Sequence, residues 1–341
     1  SRPRTPAPGP RPPQNPMHRR SRLPDVSPAP KLLAGVELGG TKCVCILGTG
    51  PDDVRALGRL HTGEREQTLG EIERVLDRSR QQHGAPDALG IASFGPVDLL
   101  SQSKSYGYIT STSKAGWRDT DVAQRLARRT GVPVGFDTDV NGAALAEGRW
   151  GAGSGLTDFA YVTVGTGIGV GSIVRGRPVF GMNHTELGHI RVVRRKGDEF
   201  GGICPYHGDC IEGLASGPAI EARVGKPASQ LAADDPAWEF VAHGLAQLLH
   251  TMVLTTAPQR ILLGGGVMSG QPHLFGRIQQ ELKASLNGYV EAPQLGPELA
   301  RFIVPPGLGT MSGPLGALAL AADAEGRVTS KPHPLANAAS L

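Results

Sequence analysis

The sequence predicts an α/β fold with a mixed sheet, arranged as two related lobes with a ligand cleft between them. Strand and helix patterns alternate along the chain, which implies strands covered by helices. A unit of strand, glycine turn and strand opens at residue 32 and recurs at residue 159, and an internal duplication of this kind puts a ligand site at the junction of two lobes. Between the copies stands Asp137-Thr138-Asp139-Val140-Asn141, where an apolar run ends and an alanine-rich helix begins.

Residues 32–38 read as a strand, Gly39-Gly40-Thr41-Lys42 as a tight turn, and 43–47 as the returning strand. Leu69, Ile72, Val75 and Leu76 repeat at helical spacing, and Gly84 follows their helix. A strand over 88–92 leads into Ser93-Phe94-Gly95-Pro96-Val97-Asp98. A helix over 122–129, a strand over 132–136 and a helix over 141–150 complete the first copy. In the second copy, strands over 159–164 and 170–174 flank Gly165-Thr166-Gly167-Ile168-Gly169. A Cys/His-bearing stretch then precedes a helix capped by Ser216. A long helix over 237–256, a buried strand over 261–263 ending in Gly264-Gly265-Gly266, and a helix over 276–286 come next. A strand over 302–304 and a last helix over 313–322 close the pattern. The expected organisation is a disordered tail over 1–31 and an N-terminal lobe over 32–140, joined by a C-terminal helix over 312–325. A C-terminal lobe over 141–311 carries a metal loop over 184–212, and 326–341 is a second flexible tail.

At 341 residues the chain suits one large domain or two moderate ones. Charged residues are 19% and glycines number 48, which marks a turn-rich globular protein rather than a coiled coil. No apolar stretch reaches the ~20 residues that span a bilayer, and there is no signal-peptide pattern, so the expected compartment is the cytoplasm with no membrane partner. The net charge of +4 is local in origin: residues 1–31 carry seven Lys/Arg against one acid, while the remainder has 28 basic and 30 acidic residues. A nucleic-acid surface is therefore not indicated. Ten of the 28 prolines also fall in that segment, which makes it a solvated extension from a start upstream of Met17. Four cysteines do not make a disulfide scaffold; Cys43 and Cys45 alternate onto one face of a strand as buried thiols.

Glycines at a hairpin turn bring backbone N–H groups close to an anion, and Thr41 adds a hydroxyl and Lys42 a charge. Either hairpin alone reads equally as an ordinary turn, and neither has the spacing of a Walker loop or a dinucleotide fingerprint. Two such cradles with a carboxylate between them are what phosphoryl transfer to a hydroxyl requires. Asp139 is the candidate general base. Asp137 competes for the role, and a helix N-cap is the structural alternative for Asp139.

His189, Cys204, His207 and Cys210 supply zinc-type ligands within 22 residues, as a closed set of four without an open position for a catalytic water. A nucleophilic cysteine is the alternative, and His184 is a spare ligand that reads better as a surface residue. Glu186 and Glu212 flank this knot as candidate sugar-binding carboxylates or as plain surface charges. Gly264-Gly265-Gly266 and the turn over 305–309 would allow a nucleotide base or ribose to approach closely, though such turns also occur without ligands.

Together these segments resemble the ROK family of sugar kinases in the actin-like ATPase superfamily, over residues 32–324. The resemblance rests on Gly35-Val36-Glu37-Leu38-Gly39-Gly40-Thr41-Lys42, residues 137–147, 163–171, Glu186-Leu187-Gly188-His189, 204–212 and 263–268. It implies that Asp139 is the base and that Gly95, Thr138, Glu186, His189 and Glu212 line the sugar site. ATP with Mg²⁺ would contact Gly39, Gly40, Thr41, Lys42, Thr166, Gly167, Pro218, Gly264, Gly265, Gly266 and Gly309. A structural Zn²⁺ would be held by His189, Cys204, His207 and Cys210, in a homodimer.

Cys204-Pro205-Tyr206-His207-Gly208-Asp209-Cys210 and the stretch from Tyr106 to Trp117 resemble the fructokinase branch. Glu37 replaces the aspartate usual before the first glycine pair. Thr138 stands where pyranose kinases carry an Asn, which argues against glucose; Ser113 and Ala115 replace prolines of the fructokinase segment. The function implied is phosphorylation of fructose at its 6-hydroxyl, with a broad-specificity glucokinase or mannokinase, or a non-catalytic sugar-responsive regulator, as alternatives. A regulator would need an N-terminal helix-turn-helix core, which residues 1–31 cannot supply.

Overall fold

Each half of the chain builds a five-stranded sheet, and the two sheets have the same order and sense. The computed structural model describes residues 30–329; the segments 1–29 and 330–341, where the tails are expected, lie outside the described residues. The first half runs β1 (Leu33–Leu38), β2 (Lys42–Gly50), β3 (Asp53–His61), α1 (Arg65–His83) and β4 (Ala88–Ser93). A two-stranded ribbon, β5 (Tyr108–Ile109) and β6 (Thr120–Asp121), precedes α2 (Ala123–Thr130), β7 (Val134–Thr138) and α3 (Asp139–Trp150). Its sheet has the order β3-β2-β1-β4-β7, antiparallel up to β1 and parallel beyond it.

The second half runs β8 (Phe159–Val164), β9 (Ile168–Val174), β10 (Arg177–Pro178), α4 (Ile211–Ala215), α5 (Gly217–Val224) and α6 (Ala237–Thr255). Then come β11 (Arg260–Gly264), α7 (Gly266–Gly270), α8 (Leu274–Leu286), α9 (Leu299–Phe302), β12 (Ile303–Val304) and α10 (Ser312–Thr329). The order β10-β9-β8-β11-β12 repeats the first sheet strand for strand, with the same change from antiparallel to parallel. The duplication read from the two glycine turns is thus a duplication of topology.

Both sheets take their stability from apolar faces covered by helices. In the first, Val36, Leu38, Cys43, Cys45 and Leu47 bury against Leu69 and Ile72 of α1 and Leu126 of α2. In the second, Val162, Val164 and Ile261 bury against Trp238, Val241 and Leu245 of α6. Each such side chain contributes about 1.5–3 kcal/mol on leaving water. The strand β3 has no counterpart in the sequence reading: it is an edge strand whose face with Arg55 and Arg59 is exposed, while Ala56 and Leu60 on the other face pack against the first core.

The helices α3 and α10, each following the last strand of its sheet, cross against one another. A Cβ on Gly316 would lie 2.4 Å from the carbonyl carbon of Gly142, so the two backbones approach this closely only because residue 316 is glycine. Ala317 and Leu320 of α10 bury with Ala92 of β4, while Val140, Ala143 and Ala144 of α3 bury with Phe159 and Tyr161 of β8. Each crossing helix therefore ties its own sheet to the other half. Among the described residues no helix is long and apolar enough to cross a membrane.

Candidate active site

Both glycine turns form, and they meet. In the first, β1 pairs with β2 in a register that leaves residues 39–42 as the turn, with Gly39 N–H donating to Lys42 O at 3.0 Å. The second closes through Gly165 N–H on Gly167 O at 2.9 Å. The hydroxyl oxygens of Thr41 and Thr166 are 3.4 Å apart. Gly40 and Thr166 are exposed, so the backbone there is open to a ligand.

The other glycines assigned to a nucleotide gather on the same side. Ser216 caps α5 by accepting from Ala219 N–H at 3.3 Å, as its position suggests, and Gly217 N–H donates to Gly165 O at 2.7 Å. Pro218 thus opens a helix whose N-terminus abuts the second hairpin. Gly265 has φ of +92°, and a Cβ there would sit 2.4 Å from Val164 O, so the middle of the Gly264-Gly265-Gly266 turn fits against the end of β8 only as glycine. Gly264 lies under the Pro306 ring, which joins the turn over 305–309, with Gly309 at its end, to this group. All of these turns lie at the carboxyl ends of β8 and β11, where open α/β sheets bind ligands.

Asp139 is the first residue of α3, and Thr138 rather than Asp139 is the cap, its hydroxyl accepting from Asn141 N–H at 3.2 Å. Asp137 is occupied too: its Oδ1 accepts from Thr138 N–H at 2.7 Å and from Asn141 Nδ2 at 2.8 Å. Asp139 accepts from Val140 N–H at 2.9 Å through Oδ1, and among the described residues no side-chain or backbone donor from another residue stands against Oδ2. Burial, then the neighbouring Glu37 carboxylate, then Glu186 push the Asp139 carboxyl up to about 7. Glu37 is raised by burial as well, with Lys42 opposing the shift, and its Oε2 is a buried oxygen with no hydrogen-bond partner. A carboxylate pair so placed, one oxygen orphaned, is suited to a hydrated divalent cation. Thr138 is 4% exposed with its hydroxyl committed to the cap, so a sugar contact through that oxygen would compete with the helix start.

Glu186 and Gly95 adjoin: a Cβ on Gly95 would lie 3.4 Å from Glu186 Oε1. Burial raises the Glu186 carboxyl, and His184 and then His189 lower it. Glu212 links this side to the second hairpin, since its Oε2 accepts from Ile168 N–H at 3.0 Å and its Oε1 is 3.9 Å from His189 Nε2.

The four Cys/His ligand atoms all lie within 4.8 Å of one another. Cys204 Sγ is 3.7 Å from His189 Nδ1 and 3.6 Å from His207 Nδ1, and Cys210 Sγ is 3.5 Å from His189 Nδ1. Zinc–sulfur bonds of about 2.3 Å and zinc–nitrogen bonds of about 2.0–2.1 Å at a tetrahedral angle put S and N about 3.6 Å apart, so the donor set fits the ion. His189 turns Nδ1 to this cluster and Nε2 to Glu212.

A sequence model of the ROK family matches residues 33–324. The chain belongs to that family. It is 41% identical over 301 residues to a fructokinase of Zymomonas mobilis, covering 87% of this chain and 98% of that protein. To a fructokinase of Pediococcus pentosaceus it is 40% identical over 290 residues, 85% of this chain and 97% of the other. The crystal structure of a ROK hexokinase from Thermus thermophilus superposes with a TM-score of 0.69 at 27% identity, over 85% of this chain and 98% of that one. The fold is accordingly the two-lobed actin-like ATPase architecture.

In this ROK protein three side chains near the site escaped the sequence reading. Glu147 is fully buried; its Oε1 accepts from Leu308 N–H at 2.9 Å and Ser312 Oγ at 2.7 Å, and its Oε2 from Ala152 N–H at 2.8 Å and Gly307 N–H at 2.9 Å. Asn183 donates through Nδ2 to Val97 O at 2.8 Å, and His184, read as a surface residue, has a side chain only 3% exposed and accepts from Val97 N–H. The partners lie between 86 and 165 residues away along the chain (Ala152 excepted), so no local pattern marks them.

Proposed function

We propose that the protein is an ATP-dependent hexose kinase that phosphorylates D-fructose at its 6-hydroxyl, giving fructose 6-phosphate and ADP. The observation that carries the reading is the free Oδ2 of Asp139, beside Glu37 of one sheet and Glu186 of the other half, where the two glycine hairpins meet at Thr41 and Thr166. The curated relatives at 40–41% identity carry the name fructokinase, which favours that sugar.

Asp139 orients the 6-hydroxyl and accepts its proton as the new O–P bond forms and the bond from the γ-phosphorus to the β,γ-bridging oxygen breaks. Backbone N–H groups of Gly40, Thr41, Thr166 and Gly167 cradle the phosphates, while Gly39, whose own N–H closes the turn on Lys42 O, lets the backbone approach them, with Lys42 nearby. The glycines at 264–266, Pro218 and Gly309 admit the nucleoside. Mg²⁺ bound with the triphosphate supplies charge neutralisation, and Glu37 is the residue that would face it. Gly95, Glu186, His189 and Glu212 take the sugar hydroxyls, and Thr138 lies behind them. His189, Cys204, His207 and Cys210 would hold Zn²⁺, which would supply rigidity by fixing the tautomer and direction of His189. The assembly is taken to be a cytoplasmic homodimer with an N-terminal lobe over 32–140 closed by the last helix and a C-terminal lobe over 141–311.

A coupled ADP-release assay over a hexose panel tests the proposal. Fructose should have the highest kcat/KM; ADP release independent of every hexose, or a clear preference for glucose, contradicts it.

A further inference from the structure

We infer that His184 is a positioning residue that aims Glu186 at the sugar and does so in one fixed tautomer. The inference rests on the sugar-site reading of Glu186 given above. Val97 N–H donates to His184 Nε2 at 3.0 Å. A backbone N–H can only donate, so Nε2 carries the lone pair and the neutral ring has its proton on Nδ1. That Nδ1–H faces Thr185 O at 3.3 Å and Glu186 Oε1 at 3.4 Å. The imidazole thus stands between a backbone donor on the segment after β4 and a carboxylate of the other half, with a polarity set by the amide.

The surroundings leave the ring little freedom. Its side chain is 3% exposed while that of Glu186 is 43% exposed, so the histidine is the buried support and the glutamate the group offered to the cleft. Asn183 doubles the attachment by donating to Val97 O at 2.8 Å, and residue 180 pairs with residue 184 across a tight turn whose tip, Met182, is 95% exposed. Val97 is fully buried and pairs with Ile109. Gly95, two residues before it, is the position whose Cβ would reach both Glu186 Oε1 and the His184 ring, at 3.4 and 3.5 Å. Rotating the ring would strip Val97 N–H of its acceptor and turn Nδ1–H from Glu186; a buried donor left unpaired costs about as much as the lost hydrogen bond.

Two near-isosteric substitutions separate the two ends of the ring. His184→Gln places an amide oxygen where Nε2 stands and keeps an acceptor for Val97 N–H, but has no donor toward Glu186. His184→Asn places a donor near Nδ1 and abandons Val97. The experiment measures KM for fructose and for ATP, and kcat, in both variants, in Glu186→Gln and in the His184→Gln/Glu186→Gln double variant; KM does not depend on what fraction of a preparation is folded. Expected are a fructose KM raised about tenfold by His184→Gln and less by His184→Asn, with the ATP KM within about twofold of wild type. In the double variant His184→Gln should add under about twofold to the effect of Glu186→Gln, because one residue acts through the other. If Glu186→Gln leaves the fructose KM unchanged, both the sugar-site reading and this inference fall. If Glu186→Gln raises it but His184→Gln does not, if His184→Asn is the equally or more damaging change, or if the effects multiply, the inference alone falls.

Discussion

Thr41 and Thr166 stand 125 positions apart in the chain and hold their hydroxyl oxygens 3.4 Å from each other. Each tops one of two hairpins that occupy the same place in two sheets of identical strand order. A triphosphate laid across both turns would replace this contact with hydrogen bonds from each hydroxyl. Thr41→Ala and Thr166→Ala should each raise the ATP KM about three- to tenfold and leave the fructose KM unchanged, read from initial rates at saturating sugar.

The pH dependence follows from Asp139. As the proposed base, Asp139 would work only as a carboxylate; burial with the Glu37 charge pushes its carboxyl up to about 7, so below that pH the proton is retained and the base would be lost. For fructose, kcat/KM should therefore rise about tenfold per pH unit on the acid side and level off above about pH 7, since this parameter reports the free enzyme. Glu37→Gln removes the neighbouring negative charge and should move the midpoint to lower pH. A profile flat from about pH 5 to 8 would contradict the assignment.

Metal content gives a third test. Elemental analysis should find one zinc per chain, and stripping it with a chelator should lower Tm and raise the fructose KM, because His189 and Glu212 lose their fixed support. An ATP KM that rises instead would place the metal's influence elsewhere.

Glu147 predicts a stability effect with no chemistry attached. Its buried carboxylate takes four hydrogen bonds from residues 152, 307, 308 and 312 and so pins α3 to the turn before α10. Glu147→Ala leaves those donors unpaired and should cost about 3 kcal/mol or more in urea unfolding.

The same two kinds of contact explain what the sequence disclosed. Residues 32–47 are readable because a strand, a Gly-Gly-Thr turn and a second strand are set by neighbours, and β1 and β2 form there, β2 running on to Gly50. The Cys/His cluster was readable because three of its members fit on one loop. The helix read over 141–150 begins two residues earlier, at Asp139, because Thr138 caps it by accepting from Asn141 N–H. Between Asp137 and Asp139 the sequence reading favours Asp139, and the fold adds that Asn141 Nδ2 holds Asp137, a contact no local pattern announces. The edge strand β3 has only a small inner face, Ala56 and Leu60, opposite its exposed arginines, and His184 and Glu147 owe their roles to partners far along the chain.

The most direct test of the account is turnover by Asp139→Asn, measured beside fructose binding by calorimetry. The account predicts fructose affinity within a few-fold of wild type and a kcat reduced by about 10²–10⁴, the share general-base catalysis supplies. A variant that binds fructose normally and still releases ADP at the wild-type rate would contradict it.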